Sequence, residues 1–297
     1  MKHFILIITT LGFLHTANSQ QLQTSSLYDM QGIIHNPSTA GVKGGMVGAS
    51  YRTQWSGISG APKTATVFGS TELTDLKIGL GGYLYTDKTG PTARTGLQLA
   101  FAKHIATGNN GKFSLGIEAK GQQYSLDRAK LTATLGSDPA IGTSENRFVF
   151  DAGFGISYTN DKLQVGASVS HLIQSKLNFY TGNLSRNEEA RLYRHYVFHG
   201  SYKWTVDEST SLTPHVMVMY LPNAPTEVNA GIRVEHKETF WWGLGFRARQ
   251  SALLSAGVHL NKKFTLGYAF DIYQTPLSVY DAGANAHELL LRYNFKK

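Results

Sequence analysis

Two histidines four residues apart, His195 and His199, are the pair that most suggests chemistry. On a helix that spacing would put two imidazoles on one face, as metal ligands require. On a strand it leaves them two same-face steps apart, too far to share an ion without a third ligand. The chain has no Cys, which removes disulfides, Cys-ligated metals and a lipoprotein anchor together. No Gly-x-Ser-x-Gly elbow and no phosphate-cradling Gly-rich loop before a helix occurs. A Ser–His site assembled from distant residues is the one enzymatic arrangement left open, and no local signature supports it. The expectation is a non-enzymatic protein with no catalytic, cofactor-binding or metal-binding residues.

The other ionisable residues obey a different rule. Glu118, Lys120, Asp151, Arg233, Glu235, Asp271, Glu288 and Arg292 lie on the polar side of segments with a period of two. Arg52, Glu72, His199, Lys203, His215, Arg247 and His259 share that side. Phe113, Leu115, Ile117 and Ala119 alternate with Ser114, Gly116, Glu118 and Lys120; Phe264 to Ile272 and Leu289 to Phe295 repeat the pattern. A face carrying both signs suits either a solute path or a network of paired charges in a filled interior, since an unpaired buried charge is expensive. The near balance of signs favours the network.

Each alternating segment is about the 9–11 residues that a tilted strand needs to cross a bilayer. About fourteen are discernible, an even number that suits antiparallel closure. Tight polar turns at 74–77, 108–111, 159–162, 206–209, 236–239 and 261–263 alternate mostly with longer segments at 56–63, 87–94, 125–147, 173–191 and 274–285. Short turns on the periplasmic side and long loops outside are the sorting that transmembrane barrels show. A soluble sandwich also alternates, but its outer face is densely charged. Here only 16% of residues are charged and the second face is rich in Gly and Ser. Tyr51, Trp55, Tyr85, Tyr158, Trp204 and Trp242 sit toward strand ends, where interfacial girdles form. Pro214 falls inside a strand pattern and predicts a bulge, or a strand that starts after it.

The first nineteen residues read as an export signal: Lys2, a short apolar run from Phe4 to Leu14, then Ala17-Asn18-Ser19. The expected organisation is a signal peptide at 1–19, an N-terminal periplasmic segment at 20–43 and an all-β transmembrane antiparallel barrel at 44–297. The formal charge of +8 points to anionic lipid headgroups or plain solvation, because an exported protein meets little nucleic acid.

Three blocks carry a family resemblance: Asn36-Pro37-Ser38-Thr39-Ala40-Gly41, then Arg52-Thr53-Gln54-Trp55-Ser56-Gly57-Ile58-Ser59-Gly60-Ala61-Pro62-Lys63-Thr64, then Gly267-Tyr268-Ala269-Phe270-Asp271 followed by Leu277-Ser278 and His287-Glu288. Together they resemble the PorP/SprF family of the Bacteroidota type IX secretion system, from about residue 20 to the C-terminus. Ser38-Thr39 and Ala286-His287 depart modestly from that pattern. The resemblance implies an outer-membrane barrel serving secretion and gliding, with type IX components or a secreted adhesin as partner; a passive channel for small solutes is the alternative. Asn36, Pro37, Arg52, Gln54, Trp55, Gly57, Gly60, Pro62 and Lys63 are the motif candidates for contacts. The loop at 56–63 is expected to fold inward, bringing Lys63 near Glu72. On the long loops, Phe179, Tyr180 and Arg186 are of types enriched at binding anchors.

Overall fold

The computed structural model of the chain describes residues 24–297 except 109, 136–145, 178–190, 223, 275–276, 281–284 and 297. The strands are β1 (Gly45–Gln54), β2 (Lys63–Leu73), β3 (Ile78–Thr89), β4 (Thr92–Thr107), β5 (Gly111–Leu126), β6 (Asn146–Thr159), β7 (Leu163–Ser170) and β8 (His195–Tyr202). They continue as β9 (Trp204–Thr205), β10 (Thr210–Tyr220), β11 (Glu227–His236), β12 (Phe240–Arg247), β13 (Ser251–Leu260), β14 (Phe264–Tyr273) and β15 (Ala286–Lys296). Every neighbouring pair is antiparallel, and β15 returns to pair with β1. The sheet therefore closes on itself and leaves no row of unpaired backbone groups for lipid to meet.

β8 and β9 are one stave interrupted at Lys203, so the closed barrel has fourteen staves. The interruption has a cause in β10. His215 faces Ser201 and Leu212 faces Trp204, so the register is the same on both sides of the gap. Pro214 lies between them and has no N–H to give. Its other neighbour, β11, pairs with β10 without a break. The expected bulge is not there, and β10 does not start after the proline; the ladder simply skips the missing donor.

The alternation sorts side chains as a barrel wall requires. On β5 and β6, Ile117 and Phe150 are 58% and 68% exposed on the outer face, whereas Glu118 and Lys120 are 5% and 7% exposed inside. Tyr51, Trp204 and Trp242 are exposed as girdle residues should be, but Tyr85 is buried in the lumen.

All six tight turns fall where the polar clusters placed them. Their chemistry is local. Asp207 Oδ1 accepts from the backbone N–H groups of Ser209 and Thr210 at 2.7 and 2.8 Å, which holds its carboxyl below the usual range. Asn160 Oδ1 closes its own turn by accepting from Lys162 and Leu163. At the other end, the expected long segment 87–94 is strand instead: β3 and β4 run on to a turn at Gly90-Pro91.

The largest departure from expectation concerns the N-terminal segment. Residues 24–44 do not hang outside the barrel as a separate periplasmic piece; they thread its lumen. Gly44 leads into β1 at the turn end, and Thr24 accepts a hydrogen bond from Gln54 near the loop end. Between them lie three single turns of helix, at Tyr28–Met30, Gly32–His35 and Pro37–Thr39. The segment is too poor in charge to be solvated alone: Asp29 is its one carboxylate and Lys43 its one ammonium. Leu27, Tyr28, Met30, Ile33 and Ala40 are buried. The export signal expected at 1–19 lies outside the described residues.

The wall makes room for this plug with glycine. A Cβ at Gly79, Gly116 or Gly155 would collide with Ala40, Ser38 or Asn36. Gly41, at a φ of 69°, lets the plug turn against the backbone of Thr71. At Gly116 even one added methyl should loosen the plug, by about 1–3 kcal/mol as for other overpacked sites. Because the chain has no native Cys, Ser38→Cys gives a clean reporter for maleimide labelling. Gly116→Ala should speed that labelling, whereas Gly200→Ala, with space for a Cβ, should not. Equal rates in the two variants would refute the close-approach account.

Candidate functional site: a charged seat for the plug

Four strands bring the acidic and basic members of the site together. Arg52 comes from β1, Asp271 from β14 and Glu288 from β15, each on the inward side of its alternation. Arg52 faces Glu288 across the β1–β15 ladder, and Glu288 faces Ala269 on β14. Arg52 Nη2 is 2.5 Å from Asp271 Oδ2, and its Nη1 donates to Ser26 Oγ of the plug at 2.6 Å and reaches Glu288 at 3.5 Å. Ser26 in turn donates its hydroxyl to Asp271 and its backbone N–H to Glu288. Glu288 also accepts from Ser25 Oγ at 2.7 Å and Gln31 Nε2 at 2.9 Å. Arg247, from β12, completes the cluster, reaching Asp271 at 3.3 Å and donating to Asn229 Oδ1 and the carbonyl of Ser25.

All four charged groups are at most 2% exposed. Such burial is tolerated only where charge is matched and the remaining polar atoms are bonded. Here the plug supplies part of that matching, with hydroxyls and an amide rather than charges of its own.

A second seat holds the plug's middle. Asn36 Oδ1 accepts from Ser38 N–H and Ser38 Oγ, capping the turn that Pro37 begins. Its Nδ2 meets the carbonyls of Ile156 and Ala167 and lies 3.0 Å from His199 Nε2. Ser168 Oγ donates to the carbonyl of His35. Nearer the turn end, Asp29 is ion-paired with Arg233, and Arg292 donates to the Met30 carbonyl at 3.4 Å. Glu235 lies 3.5 Å from Arg233 and 3.7 Å from His259. The remaining network is within the wall. Glu118 accepts from Gln98 and Ser170 and pairs with Lys120 at 3.5 Å, and Asp151 is bonded to His171 and to the backbone N–H groups of Ala152 and Ile173.

The motif residues thus divide. Asn36, Pro37, Arg52 and Gln54 hold or belong to the plug. Trp55 turns its ring toward Tyr273, 6.3 Å away, at the loop-end rim and not into a lipid girdle. Gly57 and Gly60 are exposed, and Gly60 accepts from Gly90 N–H at 2.7 Å, clasping the loop to the β3–β4 tip. Pro62 is buried and its carbonyl accepts from Gln54 N–H. The loop neither folds inward nor brings Lys63 to Glu72. Lys63 is exposed at the other end of β2, nine residues or roughly 30 Å of strand away, and Glu72 pairs with Lys112 at 2.8 Å. Phe179, Tyr180 and Arg186 lie outside the described residues. His195 and His199 do not converge: His199 meets Asn36, while the His195 ring packs 5.1 Å from His171. Sequence reasoning missed Ser25, Ser26, Tyr28, Asp29 and Gln31. The one legible signal was a 20–42 stretch with a single carboxylate among small and apolar residues.

Arg52→Ala strips a counter-charge from two buried carboxylates, and its expected cost is about 3–5 kcal/mol. Arg52→Lys should recover little, because one ammonium cannot span Ser26 and Asp271 as the guanidinium fork does. Lys63→Ala, in the same motif but exposed, should stay within about 0.5 kcal/mol. Urea unfolding of protein refolded into lipid vesicles reads all three, and an Arg52→Ala variant as stable as Lys63→Ala would rule the seat out.

Comparison with known proteins agrees with this architecture. The CymD monoaromatic hydrocarbon channel aligns over 90% of this chain and 93% of its own, at 12% identity and a TM-score of 0.51, a likeness of barrel fold alone. Omp33 of Acinetobacter baumannii aligns over 85% of this chain and 98% of its own, at 7% identity and a TM-score of 0.45. No curated protein matches the chain in sequence. The family model described as type IX secretion system membrane protein PorP/SprF matches residues 16–293. With nearly its whole length matched, the chain belongs to the PorP/SprF family of type IX secretion system membrane proteins.

Proposed function

We propose that this outer-membrane barrel serves type IX export as a non-conducting accessory, holding a protein partner and supporting export or surface attachment of a secreted adhesin. The observation that carries the reading is the plug: residues 24–44 thread the lumen and complete its buried ion-pair network. A solute path would need that segment to leave, stripping Asp271 and Glu288 of several hydrogen bonds at once. Recognition then falls to the surfaces at the barrel's two ends. At the loop end, the segments carrying Phe179, Tyr180 and Arg186 supply aromatic and guanidinium anchors of the kind that dominate interfaces.

Planar-bilayer recording tests the sealed lumen. The intact protein should give no large, stable conductance steps, while Gly116→Ala or deletion of residues 24–40 should raise conductance. Large steps from the intact protein would replace this reading with the passive channel. Surface display tests the partner role: replacing 173–191 with a short Gly-Ser turn should abolish display of the exported adhesin while the barrel still assembles. Unchanged display after that replacement would sink the loop-end assignment.

A further inference from the structure

The turn end of the lumen is not filled. Below the plug lies a cavity of about 460 Å³, floored by Asp29, Met30, Val42 and Lys43 and walled by β11, β15 and the short turns at 110 and 160–162. That volume is within the range of pockets that take a small molecule or a short peptide stretch. Its charge is lopsided: six cationic side chains line it against three carboxylates.

The carboxylates are already engaged. Asp29 pairs with Arg233, Glu235 with Arg233 and Lys203, and Asp161 accepts from Asn110 Nδ2 at 3.1 Å. Three cations remain over. Among the described residues, Lys43, Lys162 and Arg292 have no carboxylate within 4 Å. Arg292 gives one weak hydrogen bond to the Met30 carbonyl, and its Nε, out of contact with solvent, has no partner. Elsewhere in this lumen, at Arg52, Arg247 and Lys120, buried cations are matched with carboxylates. Arg292, half-buried and without a carboxylate, therefore departs from that rule, and the exposed Lys43 and Lys162 face the same cavity.

We infer that this vestibule is a docking site for an acidic peptide segment, presented from the periplasmic side, whose carboxylates complete the pairing of Arg292, Lys43 and Lys162. Lipid phosphate cannot serve, because the barrel wall separates the cavity from the bilayer. Free inorganic anions could reach it, but a peptide carries several carboxylates on one chain and can meet cations on the plug, a strand and a turn together. Arg292 contributes a planar fork suited to bidentate carboxylate binding. Lys43 is part of the plug, so the segment would also bear directly on the element that seals the lumen. The inference rests on the partner-holding role proposed above, and adds where one partner docks and by what chemistry.

Titration of the full-length protein in nanodiscs tests it, using a fluorescent hexa-glutamate peptide, its hexa-glutamine analogue and inorganic phosphate. The acidic peptide should bind with an affinity that falls as salt rises, and the glutamine peptide should not. Lys43→Gln, which alters an exposed side chain, should weaken binding about tenfold, the scale of one charge pair. Lys43→Gln with Arg292→Gln should abolish it. Lys262→Gln with Lys263→Gln, on an exposed turn, should leave it unchanged. Binding lost equally through Lys262 and Lys263 would mean nonspecific attraction and overturn the site. Equal binding by phosphate alone would reduce it to a small-anion site and overturn the peptide assignment. Conductance and display do not enter these readings, so failure here would leave the accessory role standing.

Discussion

Arg52 is the point on which the interior turns. A guanidinium at 2% exposure inside a membrane barrel needs a negative partner, because the surrounding medium screens charge poorly. Arg247 pairs with Glu227 and Asp271, and Arg52 is met by the two carboxylates of Asp271 and Glu288. Their oxygens still hold more lone pairs than the guanidinium groups fill. Ser25, Ser26 and Gln31 take up that remainder. The seat is thus incomplete without the plug, and the plug without the seat is a segment that could not bury itself. Barrel and plug are one folded unit for that reason.

Close approach is the second constraint. Backbone from the plug touches the wall at Gly79 and Gly116, and the Asn36 side chain touches it at Gly155, where a Cβ would collide. A water-filled pore has no need of such contact. Gly in a strand weakens it, and a wall tolerates it where another backbone comes close. Part of the Gly-rich polar face, at Gly79, Gly116, Gly155 and Gly166, is the imprint of the chain's own N-terminal segment.

The two ends of the barrel have different physical characters. At the loop end, β3 and β4 extend to a tip that clasps the 55–62 loop, above the buried Arg52 seat. At the turn end, an open vestibule is lined by six cationic side chains against three carboxylates. Family membership places the protein within type IX secretion, and the fold has an asymmetry of its own: a plug seated by buried ion pairs toward the loop end, and a mostly cationic cavity at the turn end.

Much of this was written in the residues themselves. Period-two alternation with apolar outer faces had one stable outcome in a bilayer, since only closure satisfies every backbone donor and acceptor. The six short turns were legible because they close by local hydrogen bonds that need no distant partner, through Asn160 and Asp207 side chains in two of them and backbone groups in the others. The inward orientation of Arg52, Glu118, Asp271 and Glu288 followed from parity alone. What parity could not supply was which inward residues meet, because ladder register and barrel curvature bring β1, β14 and β15 together across more than 200 positions of sequence. The 24–44 segment carried no strand period and one carboxylate, so nothing in its local pattern distinguished a free tail from a plug. Pro214 looked like a register defect, yet its cost fell on a neighbouring stave, a consequence visible only once both neighbours were known. Local chemistry determined the barrel; the identity of what fills it was decided by tertiary structure, because buried charge and glycine clearance are satisfied only between elements far apart in the chain.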